Sequence, residues 1–373
     1  MRDRLSAQYA EMEIGGKTVA AFNRLFVIAE IGLNHGGSLE RALALIDAAA
    51  DAGASAVKFQ TIEAAALVAP GAPAPMHVAA TSMQEFFGAF EFDEAAHATL
   101  IERARMHGLV VMATPFSEAA VDMLVRVGID AFKIASGDIT FTSLIQRCAR
   151  TRKPLVISTG MSSLVEIDNA VQSARAAGGS QIALLHCVSA YPVPRGEENV
   201  RAIATLAHAF GLPVGWSDHS SDGAALPLAI ALGASVYERH LVLERGDGSI
   251  DDAVSSTPVE LAELIAIAND TRGIIGSGHK SCAPAERGNK LASRRSLYAT
   301  RALTAGDVVA ESDVIALRPG IGMAADRLTD LIGSRIDRDI DAGMAFVDAD
   351  ARFGRLPAGA HGAKVGLEVE RVA

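Results

Sequence analysis

Eight times between Phe26 and His240 a short run of β-branched or apolar residues is followed by a longer stretch of helical periodicity, and no other feature narrows the fold so far. The runs are FVIAEIG (26–32), AVKFQ (56–60), LVVMAT (109–114), AFKIAS (131–136), LVISTG (155–160), IALLHC (182–187), PVGWSD (213–218) and SVYERH (235–240). Between them lie stretches such as LERALALIDAAADAG and SLVEIDNAVQSARAAGG, each closed by glycine, as helix C-termini prefer. Repeated βα units build parallel sheets, and eight of them predict an α/β chain folded as a (β/α)8 TIM barrel. A doubly wound open sheet is the alternative arrangement of the same units.

Strands buried on both faces should be apolar throughout, yet these runs end in polar groups. They end in Glu30, Lys58 with Gln60, Thr114, Lys133 with Ser136, Ser158 with Thr159, His186, Ser217 with Asp218 and His219, and Glu238 with His240. In a barrel all eight ends converge on one face, where an active site sits. Lys58 and Lys133 would be costly to bury without an anionic partner, either a substrate or an internal carboxylate such as Glu30 or Asp138. Ser136, Ser158 and Ser217 add neutral donors suited to a phosphate. His219 and His240 end neighbouring strands, which lie about 5 Å apart, so they can share one divalent ion and leave its other positions to water and substrate.

The flanks are simpler. Within residues 1–25, EMEI and KTVAA on either side of Gly15-Gly16 predict a β-hairpin at the barrel bottom. The barrel is assigned 26–275, a Gly-, Ser- and Lys-rich linker 276–293, a small β-rich module 294–355 and a loose tail 356–373. The longest apolar stretch, 223–236, is shorter than the roughly 18 residues of a membrane span and contains Pro227, so it is read as a buried helix. MRDRLSAQYAEMEIGG lacks the apolar core of a signal peptide, and a cytoplasmic location is expected. Three scattered cysteines, Cys148, Cys187 and Cys282, fit packing thiols and neither a disulfide framework nor a cysteine zinc site. A net charge of −10 argues against nucleic acid as a partner.

The segments AEIGLNHGGSLERALALIDAAADAGASAVKFQT, TPFS, FKIASGD, ISTGMSS, LLHCVSAYP, WSDHS and ERH resemble, in order and spacing, the motifs of sialic acid (nonulosonic acid) synthases. RRSLYATRALTAGDVVAESDVIALRPGIG and LIGSRI are similar to the antifreeze-like SAF (β-clip) domain that follows the barrel in that family, and the match spans about 26–346. The resemblance implies condensation of phosphoenolpyruvate with the open-chain aldehyde of a 2-acetamido hexose, either N-acetylmannosamine or a 2,4-diacetamido-trideoxyhexose. It assigns phosphoenolpyruvate to Lys58, Thr114, Lys133, Ser136, Ser158, Ser189 and Ser217, and Mn²⁺ (Mg²⁺ or Co²⁺ as substitutes) to His219 and His240. Glu30 would handle protons, with Glu238 the other candidate general acid or base. Gln60, Asp138, Tyr191 and Asp251 would contact the sugar, and Arg318 would reach it from the partner of a domain-swapped homodimer.

The chain departs from the family in two places: some members carry Asn where Ser189 stands, and a usual Gly-Pro-Asp is here GSIDDAVSS. Asp251 is aligned by its distance from His240 and Thr257-Pro258, with Asp252 as the alternative; residues 63–92 match weakly. Two other functions compete. A Schiff-base aldolase would use Lys58 or Lys133 as nucleophile but leaves the histidines without a task. A non-catalytic carbohydrate- or ice-binding protein would want a flat, weakly charged module, whereas this one contains DRLTDLIGSRIDRDIDAG.

Overall fold

A computed structural model describes residues 10–73 and 80–352, in two compact units that divide between Ser277 and Gly278. The expected tail 356–373 lies outside the described residues, as do positions 1–9, 74–79 and 353–355. In the first unit a hairpin of β1 (Glu11–Ile14) and β2 (Lys17–Ala20) precedes eight parallel strands. These are β3 (Phe26–Gly32), β4 (Ala56–Thr61), β5 (Val110–Pro115), β6 (Ala131–Ile134), β7 (Leu155–Ser158), β8 (Ile182–Cys187), β9 (Val214–Asp218) and β10 (Val236–Leu241). Each pairs with the next, and β10 pairs with both β9 and β3, so the sheet closes on itself. Closure excludes the open doubly wound sheet, which would leave two unpaired edges.

Because strand side chains alternate between faces, each strand supplies two cores. One set, including Val27, Ala29, Val57, Val111, Phe132, Ile157, Leu184 and Trp216, packs outward against helices. The other set fills the lower barrel: Phe26, Ile28, Ala56, Val110, Met112, Ala131, Val156, Ala183, Leu185 and Val236. Met12, Ile14 and Val19 of the hairpin join this inner cluster and seal it from the N-terminal side. Only glycine serves at the hairpin's Gly15: its φ is +56°, and a Cβ there would stand 2.5 Å from Val110 Cγ2.

The helices start where side-chain oxygens can satisfy the first free N–H groups. Ser38 caps Leu39–Asp51, and Ser163 with Glu166 forms a capping box on Leu164–Ala176. Thr257 with Glu260 does the same for Pro258–Ile275, where proline occupies a position that needs no N–H. The helix read as buried across 223–236 is shorter, Leu226–Ala231, and only one face is buried: Leu226, Ala229 and Ile230 pack inward while Leu228 is exposed. Pro227 permits its start, and Gly233, at φ +96°, turns the chain into β10. A two-residue strand, β11 (Ser255–Ser256), pairs with β10 at His240 and Leu241.

In the second unit β12 (Ser296–Ala299) pairs antiparallel with β13 (Val314–Leu317), and β14 (Arg335–Ile336) with β15 (Ala351–Arg352). Leu297, Leu303, Val309, Met323, Leu331, Ile336 and Phe346 form its core. Within 276–293 the chain is not irregular throughout: a turn at Pro284–Glu286 leads into an exposed helix, Arg287–Ser293. The Glu286 carboxylate closes that turn by accepting from the Ala283 N–H at 2.8 Å. Among the described residues no helix is long and apolar enough to cross a membrane.

Candidate active site

The inward register of the strands continues past the apolar filling, but the residue type changes. Two positions beyond Ile28, Ala56, Ala131, Val156, Leu185 and Val236 stand Glu30, Lys58, Lys133, Ser158, Cys187 and Glu238. With Gln60, Thr114, Phe116, Ser136, Met161, Ser189, Tyr191, Ser217, His219 and His240 they line a cavity of about 230 Å³.

Its floor is a cluster of four buried charges. Lys58 Nζ lies 2.8 Å from Glu30 Oε2 and 3.8 Å from Glu238 Oε2, and Lys133 Nζ lies 3.5 Å from Glu238 Oε1. Neutral groups complete the shell: Ser217 Oγ donates to Glu238 at 2.9 Å, Gln60 Nε2 donates to Glu30 at 3.0 Å, and Thr114 Oγ1 accepts from Lys58 at 3.2 Å. Burial works against the charge of Lys58, but Glu238 and Glu30 outweigh it and hold the ammonium above the usual lysine range. For Lys133 burial wins and its pKa falls, with Glu238 opposing and Lys58 adding to the fall. Burial would raise the Glu238 carboxyl, yet Lys133, Lys58 and the Ser217 hydroxyl bring it down to about 2.

Beside this floor the rings of His219 and His240 lie 5.5 Å apart, and Tyr191 stacks on His219 at 4.2 Å. His219 Nδ1 is 3.0 Å from the Val188 carbonyl, and His240 Nδ1 is 3.1 Å from Asp251 Oδ2. The Val188 carbonyl only accepts, so His219 Nδ1 carries the proton and its Nε2 is left with a lone pair, while His240 Nδ1 faces the Asp251 carboxylate as a close ion-pair partner. Burial and the neighbouring His240 lower the His219 pKa to about 4. His240 is opposed by burial but raised by Asp251. Two imidazoles oriented by second partners fit a divalent cation. Among the described residues no third His, Cys, Asp or Glu joins them as a ligand set, which leaves further positions for water and substrate.

The structure thus brings Glu30, Glu238, Lys58, Thr114, Lys133, Ser136, Ser158, Ser189, Ser217, Gln60, Tyr191, His219 and His240 to one cavity. Of the two aspartates, Asp251 faces His240, while Asp252 turns away to accept from the Gly246 N–H at 3.1 Å. Asp138 does not line the cavity. It sits in the turn Ser136–Asp138 with one carboxylate oxygen buried and lacking a hydrogen-bond partner among the described residues, and burial raises its pKa. Neither lysine pairs with it. Arg318 is an exposed residue of the second unit, just after β13.

Three contributors escaped the sequence reading. Cys187, read as a packing thiol, stands 3.5 Å from Ser136 Oγ and 3.8 Å from His219 Nδ1; its place two residues past Leu185 is the signal that locates it. Of the other thiols, Cys148 does pack in the core, but Cys282 is exposed. Asn34 is buried and accepts from the Asp251 N–H while donating to Leu241 O and Ser255 Oγ, so it pins the loop that carries Asp251. Gly160 donates its N–H to Ser136 Oγ at 3.0 Å and leaves open a space that a side chain would fill. His35, by contrast, stacks on Phe92 at 4.4 Å, in an aromatic cluster separate from the other two histidines.

A model of the NeuB family matches residues 45–280, and a model of the SAF domain matches 294–352. The N,N'-diacetyllegionaminic acid synthase of Legionella pneumophila is 36% identical over 331 residues, covering 86% of this chain and 93% of that protein. The N-acetylneuraminate-9-phosphate synthase of Homo sapiens is 29% identical, covering 86% of this chain and 91% of its own length. The crystal structure of N-acetylneuraminic acid (sialic acid) synthetase from Leptospira borgpetersenii, in complex with citrate, superposes with a TM-score of 0.69 at 33% identity, over 75% of this chain and 95% of that one.

The cradle at Gly160 is open to test. In Gly160→Ala the new Cβ would stand 2.4 Å from Ser189 Oγ and 2.8 Å from Ser136 Oγ, so both hydroxyls must move. Loss of one or two hydrogen bonds to a charged ligand should weaken binding of inorganic phosphate by about tenfold or more. Calorimetric titration of a folded variant that binds phosphate as tightly as the parent would remove these hydroxyls from the anion site.

Proposed function

The chain belongs to the NeuB family, and from that premise we propose that it is a nonulosonic (sialic) acid synthase, condensing phosphoenolpyruvate with the open-chain aldehyde of an acylated amino sugar and releasing phosphate. The observation that carries the reading is the cavity floor: Lys58 and Lys133 buried under a shell of hydroxyls, directly beside the paired imidazoles of His219 and His240. Such a floor suits a small, multiply charged acid, because donors fixed in a site with little water stabilise a carboxylate and a departing phosphate more than water would.

In this mechanism Lys58, Lys133, Thr114, Ser136, Ser158, Ser189 and Ser217 hold phosphoenolpyruvate and present the face of its enol carbon to the aldehyde. The new C–C bond joins that carbon to the aldehyde carbon, and the aldehyde oxygen gains a proton. Water then adds at C2 of the former enolpyruvate, and the C–O bond to phosphate breaks to leave a 2-keto acid. Glu238 is committed to both lysines and Ser217, which suits a fixed counter-charge. Glu30 pairs with Lys58 and accepts from Gln60 on the sugar side, and it is the residue we assign to proton transfer. His219 and His240 would hold a divalent cation, Mn²⁺ first and Mg²⁺ or Co²⁺ as substitutes; when bound, it supplies Lewis acidity toward the aldehyde oxygen.

Gln60 and Tyr191 edge the part of the cavity left for the sugar, with Asp251 outside the lining but paired with His240 and Asp138 behind Ser136 and Gly137 in sequence. The apolar surfaces of Phe116, Met161 and Tyr191 suit a sugar rich in acyl and deoxy groups, and the Legionella relative is named for a diacetylated product. We therefore favour a 2,4-diacetamido-trideoxyhexose over N-acetylmannosamine. Arg318 would close the site in a domain-swapped homodimer, its planar fork of donors facing the acyl carbonyl. A cytoplasmic location fits the use of phosphoenolpyruvate.

A panel of N-acetylmannosamine, its 6-phosphate and 2,4-diacetamido-trideoxyhexoses, read by phosphate release, should give the highest kcat/KM for the last class. Lys133→Ala should lower turnover by at least about a hundredfold with every sugar, since it acts on the shared anion. Activity on an unrelated aldehyde alone would overturn the assignment.

Exhaustive chelation should abolish phosphate release, and Mn²⁺, Co²⁺ or Mg²⁺ should restore it to different degrees. Full activity in a preparation that elemental analysis finds free of metal would exclude the cation.

Arg318→Ala and His240→Ala should each be nearly inactive alone. Refolded together, they should regain roughly a quarter of parental activity, because random two-fold pairing gives mixed dimers with one intact site. No recovery would mean that Arg318 acts within its own chain.

A further inference from the structure

Strand alternation that brings His219 and His240 to the cavity turns the residues before them, Asp218 and Arg239, outward. Outward positions elsewhere in the barrel are mostly apolar, as at Ala29, Val57, Val111, Phe132, Ile157 and Leu184, and polar ones such as Thr159 and His186 are uncharged side chains bonded to a backbone carbonyl. Here instead stands an ion pair with almost no exposure: Arg239 is 1% exposed and Asp218 0%, with Nη1 3.3 Å from Oδ2. Replacing such a pair with well-packed apolar residues is often neutral or stabilising, so packing alone gives no reason for a guanidinium at this place.

What the guanidinium does is join three segments. From β10 it donates through Nη1 to the Ser220 carbonyl at 2.5 Å, on the loop that follows β9 and carries His219. Through Nε it donates to Ser256 Oγ at 3.0 Å, on β11. β11 in turn closes the loop that begins at Asp251, whose carboxylate orients His240. Asp218 is fixed from two more directions, by the Tyr237 hydroxyl at 2.8 Å and the Ser220 N–H at 2.8 Å. The supports of His219, of His240 and of Asp251 therefore meet at one side chain.

We propose that Arg239 is a positioning residue for the paired imidazoles, its planar fork setting the separation of β9, β10 and β11 so that His219 and His240 act as one binding pair. The inference rests on the reading that this pair holds a divalent cation. A lysine at 239 keeps the charge but offers a point donor in place of the fork, and it cannot bridge Ser220 and Ser256 in the same way.

The test is Mn²⁺ binding to the full chain, followed by the loss of the free-ion electron paramagnetic resonance signal, with inorganic phosphate binding as the control. Arg239→Lys should weaken Mn²⁺ by about 10- to 100-fold, the range found when a partner of a metal-ligating histidine is removed. Phosphate affinity should fall much less than Mn²⁺ affinity, because Lys58 and Lys133 stand on β4 and β6 and only Ser217 and Glu238 adjoin the fork. Ser256→Ala, which removes only the acceptor of Nε, should weaken Mn²⁺ by about threefold or more, and it decides the matter if Arg239→Lys does not fold. A lower melting temperature with unchanged Mn²⁺ affinity in the folded variants would reduce Arg239 to a structural part and overturn the inference. Absence of binding that His240→Ala abolishes, in the parent chain, would overturn the cation reading and this inference with it.

Discussion

Two lysines and two glutamates meet where the apolar filling of the barrel stops, and the rest of the site is arranged around their mutual neutralisation. A single ammonium at that depth would cost several kcal/mol. Lys58 and Lys133 are tolerable there because Glu30 and Glu238 stand on the strands opposite and beside them. The arrangement needs a closed ring: Glu238 comes from β10, Lys58 from β4 and Lys133 from β6, and only the pairing of β10 with β3 puts all three around one axis. An open sheet of the same strands would spread these charges along its edge. The imidazole pair and the hydroxyl shell then follow from the same inward parity.

That parity is also why so much was legible before any coordinates. In Phe26-Val27-Ile28-Ala29-Glu30 the inward residues read Phe, Ile, Glu, and in Ala56-Val57-Lys58 they read Ala, Lys; apolar residues that turn polar at a fixed height mark both the face and the depth of a site. Helix starts hold a further signal that the sequence reading did not use, since Ser163 with Glu166 and Thr257 with Glu260 are reciprocal caps that sequence spacing alone can show.

What the sequence withheld are matters of loop path and side-chain direction. Asp251 and Asp252 are adjacent and chemically identical; the N–H of Asp251 bonds to Asn34, more than two hundred positions away, and no local pattern reports that. Asp138 follows Gly137 in a turn too tight for its carboxylate to join the cavity wall beside Ser136. Cys187 looks like any small core residue until the parity of β8 is counted. Arg239 in the run VYERHL reads as one more polar strand end, whereas it faces the opposite side from its neighbours Glu238 and His240.

The same charge cluster bears on how the chain comes to be folded. Glu30 and Lys58 are made early and sit side by side on paired strands, so they can neutralise each other as soon as β3 and β4 form. Lys133 has its carboxylate partner on the last strand, about a hundred residues later in synthesis. Until β10 emerges and closes the ring, a half-built barrel must leave that ammonium in water and keep its upper interior wet. Completion of the last strand therefore dries the mouth of the barrel and neutralises its floor in one event, so that a partly made chain has neither a finished core nor a working site.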